Sequence, residues 1–300
     1  MKADKLQYGD TIGIISPSHI AAKERYETII SVLESLGFKV KTGKNLYKST
    51  YGYSASEKER AEDLNTMAAD NEVKMIFFGG GEGGNELLPY IDYDLIQKHP
   101  KIYLSYSDGT TLINAIYART GLCTYYGQAP GNFEDLRHYD YSQFISHFIE
   151  GPVSVFKRNS PWETLNGGVG EGLLVGGYTR NFSLLLNHSY FPLQKEQPYI
   201  LFLEDHENFS QLGEVSAYLS HIEQCEIIRQ IKGLLFGHYA KVRFPDLFRR
   251  LERFGLNNGI PVVYCDDFGH GSNHGILPIG CRARLEGDQK SLHFTEPTIK

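Results

Sequence analysis

The run Tyr103-Leu104-Ser105-Tyr106-Ser107-Asp108-Gly109 joins an apolar stretch starting at Lys101 to an amphipathic stretch, Thr110 to Thr120, that stops at Gly121. The first half of this junction reads as a strand and the second as a helix. Ser107 therefore stands on a strand-to-helix turn. The pattern Ser105-Tyr106-Ser107-Asp108-Gly109 approximates the Gly-x-Ser-x-Gly elbow, in which a sharp turn pushes a serine hydroxyl outward and aims the next backbone N–H at the reacting oxygen. Ser105 replaces the first glycine, and serine tolerates a strained turn less well than glycine. The turn alone nominates a nucleophile without establishing one.

The same alternation of short apolar runs and longer amphipathic stretches extends from residue 10 to about 130. Thr11 to Ile15 reads as a strand ending at Ser16-Pro17-Ser18, after which Tyr26, Ile29, Ile30, Leu33 and Leu36 recur at helical spacing up to Gly37. Phe38 to Val40 begins the next strand. Ser56 and Glu59 have the spacing of a capping box, which predicts a helix over 56–69. Val73 to Phe78 is a continuous apolar strand that empties into Gly79-Gly80-Gly81-Glu82-Gly83-Gly84, with a short helix from Asn85 to Leu88. This is the signature of β-α units on a parallel sheet, where ligands bind outside the carboxyl ends of the strands. The glycine run and Ser107 are both at such ends.

Periodicity weakens over 151–170, where Gly151-Pro152, Ser160-Pro161 and Asn166-Gly167-Gly168 are turn signals, so a linker is expected there between a domain of residues 1–150 and one of 171–300. Strands in the second are expected at Gly172–Val175, Tyr199–Leu203, Gly233–Phe236, Pro261–Tyr264 and Arg282–Leu285, with helices near 180–187, 211–222 and 244–254. The fold class is α/β.

The chain has 300 residues and a net charge of -6, which leaves no basic surplus for nucleic acid or an anionic membrane surface. No apolar run reaches the length of a signal segment or a membrane span, so a cytoplasmic protein is expected. Cys123, Cys225, Cys265 and Cys281 lack the close spacing of a zinc or redox motif. Reduced, mostly buried thiols are expected.

Three further segments carry chemistry. The glycine run offers successive N–H groups suited to an oxyanion or a phosphate, but lacks the Gly-Lys-Ser/Thr ending of a P-loop and the spacing of a dinucleotide fingerprint. Ile200-Leu201-Phe202-Leu203-Glu204-Asp205 ends an apolar strand on two acids, although acids at strand ends are mostly turn formers or caps. Asp266-Asp267-Phe268-Gly269-His270-Gly271-Ser272-Asn273-His274 follows another strand, with His270 between glycines. A metal site of His270 and His274 with Asp266 or Asp267 is open on composition, yet the glycines oppose the helix that would align both imidazoles.

In order and spacing these segments resemble the LD-carboxypeptidase family of serine peptidases, which includes muramoyl-tetrapeptide carboxypeptidases and microcin-C-resistance peptidases. The anchors are Ser16-Pro17-Ser18, Gly80-Gly81 with Leu87-Leu88-Pro89-Tyr90-Ile91-Asp92-Tyr93, Tyr106-Ser107-Asp108-Gly109-Thr110, Gly127 and Pro130. Leu174-Val175-Gly176-Gly177, Leu203-Glu204-Asp205, Gly269-His270-Gly271 and Leu277-Pro278-Ile279-Gly280 complete them. The resemblance spans nearly the whole chain. It implies a flavodoxin-like N-terminal domain bearing the nucleophile, a C-terminal domain of mixed, β-barrel-like character, and a triad of Ser107, Glu204 and His270 between them. It further implies a metal-independent hydrolase with no cofactor, and commonly a homodimer. Ser105, Gly79 and Tyr178 depart from the glycine, arginine and asparagine frequent in the family, which bears on substrate choice more than on reaction type.

On this reading the backbone N–H groups of Asp108 and Gly81 form the oxyanion hole, and Gly80, Glu82 and Tyr178 line the substrate site. The substrate is a small peptide, namely a murein tetrapeptide losing its C-terminal D-alanine. A peptidyl-nucleotide amide, with Tyr178 or Trp162 stacking on the base, is the alternative. An α/β-hydrolase esterase and a flavodoxin-like binding module without catalysis are rivals of other classes.

Overall fold

All 300 residues are described by the structure, a computed structural model. In chain order the first elements are β1 (Thr11–Ile15), α1 (Lys23–Ser35), β2 (Lys39–Thr42), α2 (Glu57–Ala69), β3 (Val73–Phe78), α3 (Tyr93–Lys98), β4 (Ile102–Ser105), α4 (Thr110–Thr120), β5 (Thr124–Tyr126) and α5 (His138–Ile145). There follow β6 (Glu163–Asn166), β7 (Val169–Tyr178), α6 (Thr179–Leu185), β8 (Tyr199–Glu204), α7 (Leu212–Gln224), β9 (Ile231–Phe236) and α8 (Pro245–Asn258). The last are β10 (Val262–Tyr264), β11 (Leu277–Ile279), β12 (Arg282–Glu286) and β13 (Ser291–Phe294).

Two sheets result. In the first, β2-β1-β3-β4-β5 run parallel, and β11 adds antiparallel to the β5 edge. This is the flavodoxin-like strand order. Every residue of β1 and β4, and all of β3 except Lys74, is buried, as expected of a parallel sheet covered by helices on both faces. The second sheet is mixed and curled like an incomplete barrel, in the order β13-β12-β7-β8-β9-β10-β6, with β7 to β10 mutually parallel. Its core strand Tyr199–Glu204 is wholly buried.

The capping box at α2 forms as its sequence predicts, Glu59 N–H donating to Ser56 Oγ and Ser56 N–H to Glu59. Two local expectations change. The segment 151–170 contains β6, which pairs antiparallel with β10 nearly a hundred residues later. All four β6 residues are half-buried, so no inside/outside alternation marks the strand in the sequence. Trp162, considered for base stacking, is buried with its indole N–H donating to Asp267 at 2.6 Å, and so serves the core.

The sheets meet where α4 crosses the end of β7. Asn114 Nδ2 donates to Gly176 O at 2.8 Å and its Oδ1 accepts from Gly176 N–H at 3.3 Å, while Tyr178 N–H donates to Thr110 Oγ1 at 2.9 Å. Gly177 has φ 132°, and a Cβ on it would come within 2.5 Å of Thr110 Oγ1, so the Gly176-Gly177 pair permits this approach. Asn114→Ala leaves the polar groups of Gly176 buried without partners. The expected cost is about 1–3 kcal/mol, read as a lower urea midpoint with an unchanged slope.

Candidate active site

Three loops leave the carboxyl ends of β1, β3 and β4 and are laced together. Glu82 N–H donates to Ser18 O at 2.7 Å, and Gly84 N–H donates to Asp108 Oδ2 at 2.6 Å. Arg60, fully buried on α2, donates to the carbonyls of Pro17 and Gly83 and pairs with Glu86. The glycine loop is thus fixed from below by a guanidinium and from the side by a carboxylate. Asp108 also accepts from Asn181 Nδ2 on α6 at 2.7 Å, which ties the Ser107 turn to the second sheet's helix. Burial raises its pKa, partly offset by these hydrogen bonds.

Ser107 has φ 58°, a left-handed conformation that costs a non-glycine residue on the order of 1 kcal/mol and is held by the surrounding contacts. Ser105 is buried beneath the turn, and a Cβ on Gly109 would collide with its Oγ. The serine fills space that glycine leaves empty in the usual elbow pattern. Gly80 abuts the turn as well, since a Cβ there would lie 2.5 Å from Ser107 Cβ. Neither Gly80 nor Gly81 donates its N–H to a protein acceptor. Gly81 has φ 147° and lies against the Ser18 carbonyl with no room for a side chain.

His270 Nε2 lies 2.8 Å from Ser107 Oγ, and its Nδ1 lies 2.8 Å from Glu204 Oε2. Because a buried carboxylate only accepts, Nδ1 carries the proton donated to Glu204, and Nε2 is left to accept from the serine hydroxyl. Gly269, at φ 102°, turns the chain so that the His270 backbone N–H also donates to Glu204 Oε2, at 3.2 Å. A Cβ on Gly269 would stand 2.7 Å from that oxygen, so the loop needs glycine there.

The remaining Glu204 oxygen accepts from Tyr126 Oη at 2.6 Å, and the same Oη accepts from Ser107 N–H at 3.4 Å. Tyr126 therefore links Glu204 and Ser107 from the end of β5. A buried tyrosine on an apolar strand looks like core in the sequence, and no signal there distinguishes it.

Burial by itself would raise the Glu204 pKa, but the charge and hydrogen bonds of His270 outweigh it and hold the carboxyl below its usual value. For His270 burial pulls down, and the Glu204 charge and hydrogen bond lift its pKa above the ordinary one. Asp205, also buried, is pushed up to about 7 by desolvation and by the Glu204 charge.

A cavity of about 900 Å³ opens over Ser107 and His270. Gly80, Gly81, Glu82 and Tyr178, oxyanion and substrate-site candidates from the sequence, line it, and Arg25, Arg180 and Phe209 line it unannounced by any motif. Tyr178 packs edge-on against the His270 ring, centroids 5.1 Å apart. Asp108 presents its backbone at the turn while its side chain points to the loops. The metal alternative dissolves in pairings: His274 with Asp140, Asp266 with His238, and Asp267 with Trp162. No three His, Cys, Asp or Glu side chains converge on a point. All four cysteines are buried and unpaired.

A hydroxyl on a tight turn, an imidazole within hydrogen-bond reach and a buried carboxylate behind it can perform acyl transfer, and on a flavodoxin-like sheet they define a serine hydrolase. Residues 12–127 match the LD-carboxypeptidase N-terminal domain family and residues 171–285 the LD-carboxypeptidase C-terminal domain family. The chain belongs to the LD-carboxypeptidase family and is a serine peptidase.

It is 31% identical to the Bacillus subtilis protein named probable murein peptide carboxypeptidase, over 97% of this chain and 93% of that one. It is 28% identical to the Escherichia coli microcin C7 self-immunity protein MccF, over 98% and 95%. Among solved structures, the MccF-like protein from Bacillus anthracis superposes with a TM-score of 0.90 at 29% identity, covering 98% of this chain and 99% of that one. MccF has also been solved in complex with glutamyl sulfamoyl guanosine, with a TM-score of 0.88 at 26% identity, covering 100% of this chain and 99% of that one.

Proposed function

We propose that this chain removes the C-terminal D-alanine from murein tetrapeptides, with Ser107 as nucleophile, His270 as general base and acid, and Glu204 as its orienting carboxylate. The observation that carries the roles is the continuous hydrogen-bonded line from Ser107 Oγ through His270 to Glu204. His270 Nε2 takes the hydroxyl proton as Oγ attacks the amide carbonyl carbon, acid–base help worth about 10²–10⁴-fold. The N–H groups of Asp108 and Gly81 receive the developing oxyanion, each such donor being worth roughly 2.7–4 kcal/mol. His270 then returns the proton to the departing amine. Water, deprotonated by the same imidazole, releases the acyl group from Ser107.

Residues 1–150 on this reading form the nucleophile-bearing unit and 171–300 the unit bearing acid and base, a division supported by the two separate family matches. We further propose a cytoplasmic homodimer that handles soluble wall fragments. No helix is long and apolar enough to cross a membrane.

A second reading is hydrolysis of a peptidyl-nucleotide amide, favoured by the aromatic rim of Tyr178 and Phe209 around the cavity and by the sulfamoyl guanosine complex of MccF. Incubation with a muropeptide tetrapeptide and, separately, with a peptidyl-adenylate analogue distinguishes the two. Mass spectrometry is expected to find the tetrapeptide shortened by one alanine. An intact tetrapeptide beside a cleaved adenylate analogue would transfer the assignment to the second reading.

A further inference from the structure

A peptidase that releases one terminal residue must recognise a carboxylate two bonds from the amine that departs. Because His270 Nε2 is the acid nearest that amine, the cation that meets the carboxylate belongs beside His270. Three arginines line the cavity, and each is held by one carboxylate: Arg25 by Glu134 at 2.6 Å, Arg137 by Asp135 at 2.9 Å, and Arg180 by Glu82 at 2.7 Å. They differ in how much of the guanidinium is committed.

Arg25 spends both Nε and Nη2 on Glu134, and its Nη2 abuts Gly131, 2.7 Å from where a Cβ would be. Arg137 spends Nε on Asp135 and Nη1 on the Ser272 carbonyl. Arg180 makes one hydrogen bond, from Nη2 to Glu82, which leaves the rest of its five-donor fork free. Its Cζ stands 5.7 Å from the centroid of the Tyr178 ring, the ring that packs against His270. Arg180 is thus one aromatic ring removed from the catalytic imidazole.

Its partner is weakly held. The Glu82 side chain is 70% exposed, and an ion pair of that kind contributes little because water and salt screen it. A carboxylate delivered into the cavity can take both parallel N–H groups of the fork, an arrangement stronger than the single contact Glu82 makes.

We propose that Arg180 recognises the terminal carboxylate of the substrate, and that Glu82 is an exchangeable counter-ion holding its place between turnovers. This rests on the carboxypeptidase reading above and names its specificity determinant. Glu82, expected from the sequence to contact substrate, acts on this view as its stand-in.

The test compares the full chain and its variants on one tetrapeptide ending in D-alanine, presented as the free acid and as the C-terminal amide. Wild type is expected to favour the acid by about 30-fold or more in kcat/KM. In Arg180→Gln that ratio falls to about threefold or less, chiefly through KM for the acid, and Arg180→Lys restores part of it. Glu82→Gln lowers KM for the acid by roughly two- to fivefold, because a competitor for the fork is gone. An acid preference that survives Arg180→Gln overturns the assignment, as does a loss of equal size on both substrates, which would mark Arg180 as merely structural. Wild-type enzyme that cleaves neither peptide overturns the carboxypeptidase reading and the assignment together.

Discussion

Ser107→Ala is expected to lower tetrapeptide turnover by a factor on the order of 10⁶, the loss seen when a serine nucleophile is removed from a triad that acts as a unit. The substitution deletes only Oγ. The Glu204–His270 pair, the Tyr126 bridge and the Asp108 contacts to Gly84 and Asn181 do not depend on it. The variant should therefore fold with a wild-type urea midpoint and still bind substrate. Single-turnover mass spectrometry measures the effect, and turnover above about 1% of wild type would place the nucleophile elsewhere.

Glu204→Gln is expected to cost about 10³–10⁴-fold in kcat/KM, for a reason of tautomer as much as charge. Glutamate accepts the His270 Nδ1–H; glutamine can present an NH₂ to the same nitrogen and so favours the imidazole with its proton on Nε2, which cannot accept from Ser107. The pH profile gives a second signature. Burial depresses the His270 pKa, and the Glu204 charge and hydrogen bond raise it above the ordinary value. Catalysis needs the neutral imidazole, so wild-type activity is present above that raised pKa and is lost as pH falls through it.

The acid limb of kcat/KM is expected with its midpoint above 6.5, the ordinary histidine value. In the variant the depressing effect of burial stays, the main raising partner is gone, and only the weaker pull of the Asp205 charge remains. Residual activity should then persist to lower pH than in wild type. An acid limb that does not move on Glu204→Gln would mean that another group, with buried Asp205 the nearest candidate, sets it.

Much of this site is legible because its parts sit at strand ends. Ser107, Glu204 and His270 follow apolar runs short enough to be strands, and parallel packing gathers such ends at one edge of each of the two sheets. Residue patterns also located the capping box at Ser56 and the glycine stop at Gly121, both local devices whose partners are three or four residues away. What escapes is decided at long range. Tyr126 meets Glu204, 78 residues later, and Arg180 meets Glu82, 98 residues earlier. β6 is a strand only because β10 offers it an edge, and its half-buried residues carry no period-two signature. Ser105 reads as a flaw in the elbow pattern until Gly109 is seen resting on its hydroxyl.

The return of β11 to the edge of the first sheet bears on when the site is assembled. Leu277–Ile279 completes that sheet beside β5, whose last residue, Tyr126, clamps Glu204, and the loop that carries His270 lies just upstream. During synthesis the Ser107 turn can therefore form before His270 is made, and the edge of β5 stays open until Leu277–Ile279 emerge. A nascent or C-terminally shortened chain would hold an inert serine and an unpaired strand edge, a state prone to association rather than hydrolysis.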